Sequence, residues 1–562
     1  QFHQESYSKV ILSSLYLCQA QICMGSQRIN PNGCHNCRRK RFRCDGSVPS
    51  CRKCISLGKE CLGYGTLWRW TDSVASRGKL AGKKLPCNND NPDHPSSSQT
   101  DADASRLTIN TANQRIISNH GLDLDLDDSI QLYGNLTDPL FSDMSSSDRY
   151  YLSYCLSSPV GLPMLFADYE QPVADGLCPQ LVAIDLPGHN PFPRLLPMGF
   201  CSPVLQYTMI TAAALHMSNV LRPDTEKRPV TLNHVNNNWE PSRQAMLDAL
   251  AAKQKALFLL RMAFQDLDTH GRDMVLTAAM LLVTADMIDS GKHGSKAHLD
   301  GIGWLLSYAQ PATSVGEMLK DFVISDCYIF YIFALTFMDQ IPQSSLALNT
   351  TIASSAIHYA ARNSFICCPA EVLQILWSTA MILQKQTANH DDIEGAAAKG
   401  YELFMQAMAF NVETWSRDIQ QVPLGRQVTD IPSRIHTGYT HRMACCLYIM
   451  YAIPSVRSFL PENTEQDLEH GLIFHLHHIT DEDPNFKTSF WPTFIAGAQT
   501  SDHGQQAWIM DRMRRQSRLF PWGFLYTAME TLELIWRERA KAPNGLNWLE
   551  ILRSPEVSFL IV

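Results

Sequence analysis

No apolar run in this 562-residue sequence reaches the ~18 residues that a membrane-spanning helix requires. The best candidates are Cys327 to Met338, closed off by Asp326 and Asp339, and Met443 to Val456, closed off by Arg442 and Arg457. Both are therefore expected to be buried core helices, and no membrane partner is expected. Period-two alternation of the kind a half-buried strand needs is scarce, which argues against a β architecture. No internal repeat is visible. Also missing are HExxH, GxSxG, a P-loop and GxGxxG, so no catalytic signature supports an enzyme. Finally, the stretch from Leu85 to Tyr150 contains 11 Asp and 3 Arg but no Glu, and it carries Pro86, Pro92, Pro95 and a serine run. Such a stretch cannot bury enough apolar surface to order itself.

The chain is long enough for three or four units at about 150 residues per domain. With 45% hydrophobic and 18% charged residues, most of it should be globular. The net charge of −8 hides an asymmetry. Between Arg28 and Lys84 there are 14 Lys/Arg and 3 Asp/Glu, a net of +11, leaving −19 for the other 505 residues. A small basic head on a large acidic body reads as a polyanion-binding module attached to something else.

Of the 17 cysteines, six fall in the 28 residues from Cys34 to Cys61, and the others are scattered. A disulfide scaffold has cysteines throughout a short chain, so a reduced protein with one metal cluster fits better. The six follow the order Cys34-x2-Cys37-x6-Cys44-x6-Cys51-x2-Cys54-x6-Cys61. The x2 spacing lets two thiolates from one helical turn grip one ion, and the unit occurs twice. Two separate tetrahedral zinc sites would need eight ligands; six suffice if two sulfurs bridge the metals. The pseudo-symmetry assigns bridging to the first cysteine of each half, Cys34 and Cys51. Two Zn²⁺ per chain are expected, in a domain that folds only with metal. Between Cys37 and Cys44 run Arg38, Arg39, Lys40, Arg41, Phe42 and Arg43. So many cations on a metal-pinned helix repel one another unless a polyanion receives them, and Arg and Lys suit both phosphates and the O6/N7 acceptors of guanine. Phe42 is expected to pack against the cluster.

These residues resemble the fungal Zn(2)-C6 binuclear cluster family of transcription regulators, in the basic run Cys37 to Cys44 and in Pro49 ahead of the fourth cysteine. The resemblance implies a nuclear, zinc-dependent regulator of RNA polymerase II genes that binds double-stranded DNA. Its implied base readers are Lys40 and Arg41, typically of CGG triplets, with Arg41 standing where lysine is frequent. Arg38, Arg43, Arg52 and Lys53 would contact phosphate or support the cluster, with Arg39 also on the basic face. The segments Leu62–Gly65, Trp68–Trp70 and Val74–Lys83 resemble the group of the acriflavine sensitivity control protein. Asn190-Pro191-Phe192 and the stretch from His298 to Leu306 resemble that group's second type of fungal-specific transcription factor domain. Regulation of a metabolic or secondary-metabolite gene cluster, transcription machinery or coactivators as partners, a homodimer and a small-molecule effector all remain expectations at this level. An enzyme or scaffold carrying a zinc module for localisation is the alternative.

The expected organisation is therefore an N-terminal segment at 1–29, a Zn2Cys6 DNA-binding domain at 30–64, a linker at 65–149 and an all-helical regulatory domain at 150–562. Residues 1–29 are read as disordered or as a misplaced start, since Lys9 with Val10–Ala20 loosely imitates a signal peptide and Met24 offers a start. The linker is basic and then acidic. Its segment Arg77–Lys84 is either an import signal or extra phosphate grip, and Leu122–Asp128 is either an acidic activation segment or plain linker. Gly78, Gly82 and Pro86 interrupt any coiled coil, so dimerisation would fall to the helical body. Within the body, Leu250, Leu257 and Phe264, with Leu260 and Leu267, mark one helical face. Asp273–Asp289 reads as a helix stopped at Gly291, and Leu525, Met529, Leu532 and Trp536 mark a face after Pro521. His475, His477 and His478 beside Asp481–Asp483 read as a polar loop or helix end rather than a second metal site.

Overall fold

The computed structural model describes residues 34–45, 51–57, 144–156, 176–182, 185, 190–195, 198–199, 202–222, 240–267, 271–292, 295–307, 318–337, 350–363, 366–388, 393–418, 431–541, 547–554, 557 and 559–561. The N-terminal segment, Cys61, the basic segment Arg77–Lys84 and the acidic segment Leu122–Asp128 lie outside them. The described residues fall into two compact units, one within Ser26–Asp138 and one within Pro139–Val562.

The first unit holds two short helices, α1 (His35–Arg39) and α2 (Arg52–Ser56). The second begins with α3 (Ser146–Leu156), α4 (Leu177–Gln180), α5 (Pro203–Val220), α6 (Glu240–Gln265) and α7 (Arg272–Asp289). It continues through α8 (Ser295–Leu306), α9 (Met318–Phe337), α10 (Thr350–Asn363), α11 (Ala370–Ala388), α12 (Ile393–Ala409) and α13 (Val412–Arg417). It closes with α14 (Ile431–Ala452), α15 (Thr464–His477), α16 (Phe490–Gln499), α17 (His503–Leu519), α18 (Gly523–Lys541) and α19 (Trp548–Arg553). No strand occurs among the described residues. The described residues form a small two-helix cysteine unit and a large all-helical body, in keeping with the scarcity of period-two patterns.

The body is built around helices buried on nearly every face. α5 starts with Pro203 in the first turn, where the missing N–H costs nothing, and is buried from Thr208 to Asn219. α9 is buried from Phe322 to Phe337, and α14 from Ala444 to Ala452. These are the two apolar stretches flanked by charges, and they are core helices. Among the described residues no helix is long and apolar enough to cross a membrane. α6 is amphipathic as its spacing predicts: Leu250, Leu257, Leu260 and Phe264 are buried, whereas Phe258 and Met262 on the other face are exposed. On α18, Leu525, Met529 and Leu532 are buried, and the half-buried Trp536 donates its indole N–H to the Gly497 carbonyl at 2.8 Å. Asn190 ties down the segment before Phe192. Its amide donates to the Cys178 carbonyl at 3.0 Å and its Oδ1 accepts from the Phe192 N–H at 3.0 Å. Phe192 then meets Phe322 edge to face.

Candidate metal centre and nucleic-acid interface

The two halves of the cysteine unit share one local geometry. Cys34 immediately precedes α1 and its Sγ accepts the Cys37 N–H at 3.4 Å. Cys51 immediately precedes α2 and its Sγ accepts the Cys54 N–H at 3.3 Å. In each half the first cysteine caps the helix and the second sits in its first turn, so both thiols project from one end. The four sulfurs converge within 4.8 Å of one another, all buried. Cys34 Sγ lies 3.5 Å from Cys51 Sγ and 3.7 Å from Cys54 Sγ, and Cys37 Sγ lies 3.7 Å from Cys51 Sγ. The edge of a thiolate tetrahedron around Zn²⁺ is about 3.8 Å, from a Zn–S bond of about 2.3 Å. The donor set therefore fits zinc.

Cys44 is half-buried and joins a second group with Asp45 and Cys51, all within 4.8 Å. Its Sγ accepts the Cys34 N–H at 3.4 Å. Cys51 thus belongs to both groups. Burial is the main cause that pushes the Cys34, Cys37 and Cys51 thiols above the ordinary range. A dication among them reverses that preference, because its charge stabilises thiolates.

α1 ends in a Schellman turn. The Phe42 N–H bonds the Cys37 carbonyl at 2.8 Å, the Arg41 N–H bonds the Arg38 carbonyl at 3.2 Å, and Arg41 takes φ 54°. The side chains of Arg38, Arg39, Lys40, Arg41 and Arg43 are exposed around this turn, and Arg52 and Lys53 are exposed on α2. Asp45, which sequence reasoning passed over, accepts the Arg52 N–H at 3.0 Å and so caps α2 across the unit. Phe42 departs from expectation. It does not pack into the cluster but is 44% exposed, with Lys53 Nζ 5.7 Å from its ring centroid. The buried cluster consists of Cys34, Cys37, Cys51 and Cys54, with only Cys44 packed against it among the described residues.

Among the described residues, only the cysteine groups bring three or more metal-ligating atoms together, and no histidine belongs to them. His475 and His477 close α15 and His478 is its C-cap, the polar helix end expected. His475 Nδ1 lies 2.9 Å from His436 Nδ1, and His478 stacks on His436. His477 turns instead to stack on Trp508.

Residues 32–70 match the fungal Zn(2)-Cys(6) binuclear cluster domain, and residues 165–561 match the fungal specific transcription factor domain. Among curated proteins, the acriflavine sensitivity control protein acr-2 of Neurospora crassa is 29% identical over 609 aligned residues, covering 94% of this chain and 96% of that one. No solved structure matches the chain.

Proposed function

The chain belongs to the fungal-specific transcription factor domain family and is a DNA-binding transcription regulator, and from that premise we propose how its residues divide the work. Cys34, Cys37, Cys44, Cys51, Cys54 and Cys61 would hold two zinc ions, with Cys34 and Cys51 serving both. When bound, zinc supplies the charge that keeps the thiolates ionised. The sulfurs then lock α1 and α2 as one rigid mount. Lys40 and Arg41 reach base edges in the major groove and read a CGG-like triplet. Arg38, Arg39, Arg43, Arg52 and Lys53 hold the phosphates and fix register.

Residues 30–64 are the DNA reader, 65–149 connect it to the body, and 150–562 regulate it. The protein acts in the nucleus on RNA polymerase II genes, with coactivators and a small-molecule effector as further partners, and binds DNA as a monomer or with a second copy of the chain. A metabolic or other gene cluster is the target class, and no catalytic role is assigned to the body.

One observation carries this reading: four buried sulfurs at zinc-tetrahedron spacing beneath exposed cations on both helices. The test is selection of random duplex DNA by the full-length, zinc-loaded chain, repeated with chelator. Enrichment of a CGG-like triplet that disappears on chelation is expected, and a lone triplet or a spaced pair reports monomer or dimer. Lys40→Ala then weakens binding by about 1–3 kcal/mol. A folded, zinc-loaded chain that enriches nothing at moderate salt would sink the assignment.

A further inference from the structure

Among the described residues of the cysteine unit, two large apolar side chains are exposed, Phe42 at 44% and Leu57 at 46%. They differ in their surroundings. Leu57 follows α2 between Ser56 and Gly58, with no cation next to it in the chain. Phe42 lies between Arg41 and Arg43 in sequence, and Lys53 from the other half reaches over its ring. The ring therefore sits at the seam between the cations of α1 and those of α2.

Leaving a phenyl ring half in water forgoes the gain its burial would bring. The ring stays outside the buried cluster, which consists of Cys34, Cys37, Cys51 and Cys54 with Cys44 packed against them. Lys53 covers part of the ring in the free chain. When Lys53 and Arg43 engage phosphates and Arg41 reaches a base edge, the surface they surround is brought against the duplex and loses its water.

Resting on the DNA-binding reading above, we propose that Phe42 is itself a DNA-contact residue, an apolar anchor among the cations that takes the apolar edge of the duplex. That edge is either a thymine C5-methyl group in the groove, which phenylalanine can read, or the carbon face of a deoxyribose. The contact adds affinity without releasing counterions, which separates it from every lysine and arginine around it. Affinity that depends on phosphate neutralisation falls with salt in proportion to the number of cations engaged; apolar contact leaves that slope alone.

The experiment compares full-length wild type with Phe42→Ala, Phe42→Leu and Lys53→Ala on the wild type's own selected site, across a salt series, with bound zinc measured on each. Phe42→Ala is expected to lose roughly tenfold in affinity with an unchanged slope of log affinity against log salt, and Phe42→Leu to recover most of it. Lys53→Ala is expected to reduce the slope by about one. Zinc content stays equal in all four. Replacing thymine by uracil position by position then identifies the source. A position that costs wild type affinity but not Phe42→Ala marks a methyl contact, and indifference at every position marks the sugar. Wild-type affinity in Phe42→Ala, or loss of its zinc, overturns the proposal. If wild type itself selects no DNA while zinc-loaded, the DNA-reading assignment has failed, a result distinct from the failure of Phe42 alone.

Discussion

Arg41 holds a left-handed backbone, φ 54°, at the position after a helix where glycine is the ordinary choice. A side chain there costs about 1 kcal/mol relative to glycine. Its side chain is exposed, so under the DNA-reading proposal the arginine is kept for what it touches outside the protein. Arg41→Gly should therefore separate stability from function. We expect the variant to resist chelator slightly better than wild type, by about 1 kcal/mol, while its affinity for the selected site falls by about 1–3 kcal/mol. Chelator titration and DNA affinity on the same preparation check this; a parallel fall in both would mean the arginine supports the fold instead. At this scale the cysteines were legible because metal ligation imposes spacing. Phe42 and Asp45 were not. Where Phe42 points depends on how full the space between two helices is, and the capping carboxylate of Asp45 sits seven residues before the N–H it binds.

α7 and α18 meet end to end, and glycine makes the junction possible. Past the end of α7, Gly291 takes φ 73° and its N–H returns to the Asp286 carbonyl at 2.7 Å. A Cβ on Gly523, the first residue of α18, would stand 1.7 Å from the Asp289 carbonyl oxygen and 2.7 Å from that of Ile288. The carbonyls at the end of one helix thus lie against the start of the next, where the macrodipoles complement each other. Thr527 locks the joint by donating to the Ser290 carbonyl at 2.8 Å. Gly523→Ala must push backbone from backbone, so we expect a loss of about 3 kcal/mol, read as a lowered denaturation midpoint of the full chain. An unchanged midpoint would show that the two helix ends are not held together. The periodicity of Leu250, Leu257 and Phe264, and the stop at Gly291, were readable because they are local. The choice of Asp289 as the neighbour of Gly523 was not, nor was the partner of the histidines. His475 and His478 stand three apart on one helical face and meet His436 from α14, while His477 points elsewhere.

The whole molecule couples a basic reader to an acidic body, and the body carries its own response to acid. His216 is fully buried with both ring nitrogens engaged, Nδ1 with the Tyr154 hydroxyl at 2.8 Å and Nε2 with Gln180 Oε1 at 2.8 Å. Gln180 Oε1 also accepts the Trp522 indole N–H at 3.2 Å, so it faces His216 as an acceptor. That fixes a neutral imidazole which donates through Nε2 and accepts at Nδ1. Burial lowers its pKa from 6.5 to about 3, and it does the same to His441, stacked on Trp491. Between those values the unfolded chain binds protons that the folded chain refuses. The stability these groups leave intact is thus fully present above pH 6.5 and is lost as pH falls toward 3, by up to about 1.4 kcal/mol per pH unit for each imidazole. Urea unfolding of the full chain at pH 7.5 and 5.5, followed by tryptophan fluorescence of the body, should show the midpoint dropping in acid. His216→Gln is expected to lower the midpoint at pH 7.5, because the network to Tyr154 and Gln180 is broken, and to make its fall between the two pH values shallower. If the variant and wild type lose stability in parallel as the pH drops, the buried imidazole is not the group that titrates.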